Sequence, residues 1–519
     1  MKTKFSALFG VISFFCAYAQ EIPVKILKSD LFKDEFKNSV MMLAEEDGNG
    51  GVLIVRSYRG GAFSSSMGYY FEHYDANLKL LKEYEYEMKV SDAYRQTSVL
   101  GVITNKDEVH LIDFAYNRDE KAYICSAITA KIADFNFHKT ELFRLSSDEI
   151  KQFSLFSGSS FDGDSGASMI VNEDKNAFAV TVDIKDKNTE THKVFLYDNQ
   201  LNKKIEHVFK RELKDKKFRY ENIDVSKDGN VLYLLGKALT VEAKSKKEGG
   251  KYQFELTRIT KDGEKTQVFD TEEHFSRSLK TIILDNRLVC IGFFSDRNDN
   301  RYKGISYFEL DPTTLAIRKS KFNAFTEQFM IDKYGKDKDK ELKNLSFREL
   351  LITKTGDIVF NAEEYYETTQ YMSGMNGGGG YYITVYHYDD IVSAKINPSG
   401  DIVWARNINK RQATQGTAAF ISYTSAIKGT DTYFFINTGE KVKKLSNDRI
   451  QFGQTSTKRS NLNVIRVNEN GDFDYQEVLD DKDNEVPFMV AYGAITLKDH
   501  SVFFLGQKGK KKQILKLTL

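Results

Sequence analysis

Ile352-Thr-Lys-Thr-Gly-Asp-Ile-Val-Phe360 and, further on, Ile396-Asn-Pro-Ser-Gly-Asp-Ile-Val-Trp404 decide how this chain folds. Each reads as the end of one strand, a tight turn and the start of another, with Gly where a hairpin needs positive φ. Between them lie a glycine-rich loop, Tyr371-Met-Ser-Gly-Met-Asn-Gly-Gly-Gly-Gly380, and a tyrosine-rich strand that begins at Tyr381. Residues 352–404 are thus a unit of four antiparallel strands, joined in order by a tight, a long and a tight connection.

The rest of the chain repeats this rhythm. The first kind of turn recurs near Asp47-Gly48, Asn105-Lys106-Asp107, Glu173-Asp174-Lys175, Lys227-Asp228-Gly229, Asp285-Asn286, Thr355-Gly356, Gly429-Thr430 and Lys498-Asp499. The second recurs at Tyr74–Asn77, Tyr197–Gln200, Thr260–Gly263, Leu310–Thr313, Asn397–Gly400 and Asn468–Gly471, with a weaker copy near Asp134–Asn136. The period is about 65 residues, longer than common propeller repeats, so long loops must fill the difference. The pattern predicts an all-β fold, a β-propeller of eight four-stranded blades over residues 20–519, with seven as the alternative. The eighth unit ends after three strands, and the apolar segment Ile22–Lys28 precedes the first. We therefore expect the N-terminal strand to close the last blade, which removes an open edge.

This register puts all tight turns on one face and all long connections on the other. Long connections on a rigid scaffold are where binding sites usually sit.

Lys+Arg 75 against Asp+Glu 74 leaves no electrostatic footprint for nucleic acid or an anionic membrane surface. Residues 1–19 read as a signal peptide: Lys2 and Lys4, the apolar run Phe5–Phe15, then Ala17-Tyr18-Ala19 as the cleavage site. An uncleaved anchor or a lipoprotein at Cys16 are the alternatives. The expectation is export to the periplasm or beyond, with no membrane span after cleavage. Cys125 and Cys290 fall in non-adjacent units, too far apart for a disulfide, and are expected as buried thiols.

No catalytic motif holds up. Gly163-Asp-Ser-Gly166 matches a protease nucleophile motif but continues Ala167-Ser168, and no companion His box precedes it. No Gly-x-Ser-x-Gly elbow is present. The eight histidines are scattered without metal-ligand spacing. No cofactor is expected. Structural calcium is conceivable where oxygen ligands alternate, at Asp162 and Asp164, at Asp296, Asn298 and Asn300, and at Asp481, Asp483 and Glu485. Tyr69, Tyr70, Tyr371, Tyr381 and Tyr382 border glycine-rich loops. Such rings suit contact with a carbohydrate or peptide if exposed, and ordinary packing between blades if not.

The segment Ile396–Trp404 resembles the Asp/Asn-x-x-Gly-x-x-x-Trp ending of blades in quinoprotein-like propellers. The chain has a single Trp, so that family's ladder of docked tryptophans has no counterpart here. Tyr386–Gln412 is similar to uncharacterised secreted propeller proteins of Bacteroidetes. That resemblance covers one blade and implies an envelope or secreted location, with no activity. Three functions stay open: a non-catalytic propeller binding a protein, peptide or glycan; a glycan-active hydrolase or lyase with acidic residues at the central channel; and a scaffold subunit of an envelope complex.

Overall fold

The computed structural model describes residues 22–60, 66–88, 94–150, 166–186, 189–213, 218–239, 252–269, 274–284, 287–296, 301–337, 342–372, 381–439, 442–447, 449–456, 460–491, 494–497 and 499–519. Among these, the strands form eight antiparallel blades. Blade 1 runs from Asn38 to Glu87, blade 2 from Tyr94 to Ser146, blade 3 from Ala167 to Arg211 and blade 4 from Phe218 to Val268. Blade 5 runs from Phe275 to Ala324, blade 6 from Leu345 to Ile408 and blade 7 from Thr424 to Leu479. Blade 8 takes three strands between Ala494 and Thr518, and its fourth is Lys25–Lys28. The expected closure is found: Lys25 to Lys28 pair antiparallel with Thr518 to Leu515.

The packing shows why the blades form a ring. Each blade is a twisted sheet with two apolar faces, and each face needs a neighbour. Separate apolar cores lie between consecutive blades, from the Leu53–Phe71–Leu111 contact of blades 1 and 2 to the Phe435–Phe504–Leu515 contact of blades 7 and 8. One more joins Phe503, Leu505 and Ile514 of blade 8 to Met41, Val52 and Ile54 of blade 1. The circle is therefore closed by core packing as well as by backbone pairing.

Charge reinforces that seam. Arg56 of blade 1 is fully buried and forks onto Asp34, at 2.8 and 3.0 Å, and onto Glu72. Asp34 follows Phe32–Lys33, which pair with Lys512 and Lys511 of blade 8. Nearby, burial pulls the Lys512 amine down to about 7 against the opposing pull of Asp34.

The tight turns interlock neighbours on their own face. In the turns between third and outer strands, Asp75, Asp198, Asp311, Asn397 and Asn468 accept backbone N–H groups two to four residues on. Trp404 of blade 6 is buried and donates its indole N–H to the Glu469 carbonyl in the turn of blade 7, at 3.2 Å. Gly471 in that turn has φ +88°, and a Cβ there would lie 2.8 Å from the Trp404 ring. The lone Trp is thus a piece of the blade-to-blade joint. Cys125 and Cys290 are free and buried, in blades 2 and 5. Burial pushes the Cys290 thiol up to about 12.

The sequence rhythm left no room for a helix, yet Glu327–Tyr334 is one. Thr326 caps it by accepting the Phe329 N–H, and Gly335 ends it with φ +74°. Two turns are too short for the apolar period to register, and the two caps are the signal that was present.

Candidate functional site: the long-connection end of blades 6 to 8

Two features mark this face. The first is the hairpin of blade 6. Its second and third strands run over Ile358–Met372 and Tyr381–Ile396, 15 and 16 residues, against 8 in each of the corresponding strands of blade 1. The inner halves are buried, while positions 369–372 are exposed. The outer halves form an arm that extends past the body of the blade, and Gln412–Thr414 pairs with its base at Tyr388 to Tyr386. Tyr371 and Tyr382 face each other across the arm with ring centroids 5.1 Å apart, and they are 57% and 74% exposed.

The second is a cavity of about 480 Å³ beside the arm's base, where the inner strands of blades 6, 7 and 8 begin. Arg348, Glu349, Tyr388, Ser422, Ser425 and Ala494 are among its lining residues. Arg348 reaches it through a β-bulge. Phe347 pairs with Ala362 and Glu349 with Asn361, so Arg348 is the extra residue and its side chain is re-aimed. The same bulge recurs in the inner strands of blades 1, 2 and 4, at Met42, Leu100 and Glu221.

Behind the cavity lies a buried charge network. Lys410 and Glu363 are fully buried and paired at 2.8 Å. Arg348 donates to the same Glu363 carboxylate, and Ser422 Oγ donates to it at 2.7 Å. Lys333 of the helix contacts Glu364 at 2.8 Å and Asp390 at 2.7 Å. Burial alone would lower Lys333, but Asp390 and Glu364 outweigh it and hold the amine above the ordinary lysine range. Arg406 and Asp332 pair at 2.6 Å and pin the helix to the outer strand of blade 6.

Glu349 sits apart from that network. Burial raises its carboxyl to about 7, while Ser425, Asn361 and Arg348 pull the other way. Its hydrogen-bond donor is Ser425 Oγ, which itself accepts from Asn361 Nδ2 at 3.1 Å. Ser422 holds φ at +70°, an uncommon backbone state for a non-glycine residue.

The other end of the channel differs. A cavity of about 490 Å³ there is lined by inner strands of blades 3 to 8, chiefly Val171, Val225, Ile282, Leu351, Ile352 and Ile427. Glu173, Lys175, Asp224 and Lys227 also line it, and the Asp224 carboxyl is raised to about 7 by burial against the opposing charge of Lys280. The two cavities share only Thr496.

Of the tyrosines singled out from sequence, Tyr371 and Tyr382 are brought together and displayed. Tyr381 pairs with Met372 through its backbone. Tyr69 and Tyr70 are a correction: at 8% and 4% exposure they are packed into blade 1, Tyr70 against Tyr58 and the Arg56 guanidinium. The third strand of that blade is buried on both faces, so the rings offer no open surface to a ligand. The Asp296 carboxylate is taken by Lys303 and by His274 at 3.1 Å. Asp162, Asp164, Asn298 and Asn300 lie outside the described residues. Among the described residues no group of three or more His, Cys, Asp or Glu side chains could hold a metal ion. Arg348, Glu349 and Lys410 were not anticipated from sequence.

No family model matches the sequence, and no curated protein is similar to it. Similar solved structures include the polysaccharide lyase Uly1, with 11% identity over 95% of this chain and 98% of that one and a TM-score of 0.36. The WD40 domain of SCAP from fission yeast has 6% identity over 95% and 98%, with a TM-score of 0.35. The β-propeller domain of the Trilobed protease from Pyrococcus furiosus has 9% identity over 71% and 98%, with a TM-score of 0.32. The eight-bladed assignment rests on the sheets and cores described above. Among the described residues no helix is long and apolar enough to cross a membrane.

Proposed function

We propose that the protein is an exported, non-catalytic β-propeller that binds a protein, peptide or glycan through its long-connection face. The observation that carries this reading is the arm of blade 6, which holds Tyr371, Met372 and Tyr382 exposed on paired strands rather than in a core. Tyrosine rings held by a hairpin give a large, amphipathic contact area with little side-chain entropy left to lose. Export is inferred from residues 1–19, and the near-neutral charge favours no nucleic-acid partner.

Peptide and glycan arrays probed with the wild-type chain and with a Tyr371→Ser/Tyr382→Ser variant test this. A ligand retained by the wild type and lost by the variant is expected. Absence of any retained ligand, or equal retention by both chains, would contradict it.

A second reading, glycan cleavage by acidic residues at the central channel, draws on Glu349 and Asp224. Both carboxyls are raised to about 7, a range suited to proton transfer. They line different cavities, and Glu363, the other carboxylate near Glu349, is sealed by Lys410, Arg348 and Ser422. A two-carboxylate mechanism needs both groups on one bond. Binding is therefore the reading preferred here.

A further inference from the structure

The cavity beside Arg348 has a hydrogen-bonding character that narrows its ligand. The hydroxyl hydrogens of Ser422, Thr424 and Ser425 on its wall are already committed. Ser422 donates to Glu363 at 2.7 Å, Thr424 to the Val490 carbonyl at 2.6 Å, and Ser425 to Glu349. These three oxygens can meet a ligand only as acceptors. The charged donor on the wall is Arg348. It donates to Glu363, its side chain is 34% exposed, and its other N–H groups have no protein partner among the described residues. The guanidinium lies over the Tyr388 ring, 5.6 Å from its centroid, which fixes its plane. Ala491 of the connection before blade 8 and Ala494 and Ile495 of blade 8 supply a small apolar wall.

A ligand matching this lining has several hydroxyl donors, an oxygen for Arg348 and an apolar C–H face. It has no positive charge, which Arg348 would oppose, and no negative charge, which Glu349 would oppose once ionised. We propose that the cavity is a sugar site, taking one neutral, polyhydroxylated ring at the end or branch of a glycan, with Arg348 as donor and Glu349, Ser422, Thr424 and Ser425 as acceptors. A volume of about 480 Å³ suits a small-molecule pocket. This deepens the reading of the long-connection face as the ligand face but does not depend on the arm.

The groups facing Glu349 set the pH behaviour. They are Arg348 on its own strand, Asn361 on the second strand, Ser425 and Tyr423 from blade 7, and Thr496 from blade 8. Arg348 is the charged one among them. A neutral sugar can meet Glu349 in either state, donating to the carboxylate or accepting from the protonated carboxyl. A uronate meets repulsion once Glu349 ionises.

The test uses the full chain and methyl glycosides of glucose, galactose, mannose, N-acetylglucosamine and glucuronate, titrated by saturation-transfer NMR. At least one neutral glycoside should bind saturably. Ala494→Trp, which fills the cavity without touching a charge, should abolish that binding while the unfolding temperature is retained. Arg348→Gln should weaken it roughly tenfold, the worth of one charged hydrogen bond. Glucuronate should bind about tenfold worse at about pH 8.5 than at about pH 5.5. The proposal is overturned if no neutral glycoside saturates, if binding survives Ala494→Trp, or if glucuronate binds better than glucose at both pH values. Failure here with arm-dependent retention intact removes the sugar site alone, and the reverse removes the reading of the arm alone.

Discussion

The two ends of the central channel are built from the same inner strands and differ in what those strands present. At the tight-turn end aliphatic side chains converge from blades 3 to 8, with Asp224, Glu173, Lys175 and Lys227 also in the lining. At the long-connection end Arg348, Glu349 and six hydroxyl-bearing residues line the wall, backed by Lys410 and Glu363. Each end holds a carboxyl raised to about 7 by burial, so an acid poised near neutrality does not by itself mark a site. What separates the ends is the company of that acid. Glu349 has beside it Arg348, whose other N–H groups are open among the described residues, whereas Asp224 already accepts from Asn222 at 2.6 Å and shares its cavity with Val225, Ile282 and Leu351. The long connections make this possible, because the polar end is assembled from the segments 409–423 and 480–491 as much as from the blades.

The sharpest way to break the polar end is to remove a buried charge from it. Lys410→Met leaves Glu363 buried with one cation fewer and should cost about 3–5 kcal/mol in chemical denaturation. Lys410→Met with Glu363→Gln should recover much of that; no recovery would mean that the pair is not the organising contact. At the tight-turn end the corresponding weak point is steric. Gly471→Ala puts a Cβ against Trp404 at positive φ and should cost about 1–3 kcal/mol by the same measurement.

The two raised carboxyls predict a pH signature. A folded-state pKa above the unfolded value means stability that is full below the ordinary carboxylate range, about 4, and is lost as pH rises through about 7. Asp224→Asn and Glu349→Gln should each flatten that decline, and only Glu349→Gln should alter sugar binding. An unchanged slope in both variants would show that neither group ionises in that window. The smallest effect belongs to the arm: Tyr371→Ser with Tyr382→Ser should shift stability within about 0.5 kcal/mol, because both rings are exposed.

The blade architecture was readable in the turns. Asp, Asn and Gly at fixed offsets mark positions that only a few residues tolerate, and those marks survive without any alignment. The closing strand was readable too, since a three-stranded last unit and a spare first strand explain each other. The tyrosines were half readable. A Tyr-Tyr pair after a glycine loop looks the same at 69–70 and 381–382, and only the lengths of the paired strands separate the buried Tyr69 and Tyr70 from the exposed Tyr382. The cavity was not readable. Arg348 enters it through a bulge, which breaks the two-residue alternation that sequence reading depends on. Lys410 and Ser422 come from a connection whose path is set by tertiary contacts, such as the Ser422 N–H to Gln412 at 2.9 Å.

The contrast between the two ends is tested most directly by blocking each in turn and titrating the same neutral methyl glycoside. Ala494→Trp fills the long-connection cavity and Ile427→Trp the tight-turn cavity, with circular dichroism confirming that both chains fold. Binding abolished by the first and unchanged by the second is the expected result. Binding that survives the first and disappears with the second would place the ligand at the apolar end and contradict the assignment of function to the long-connection face.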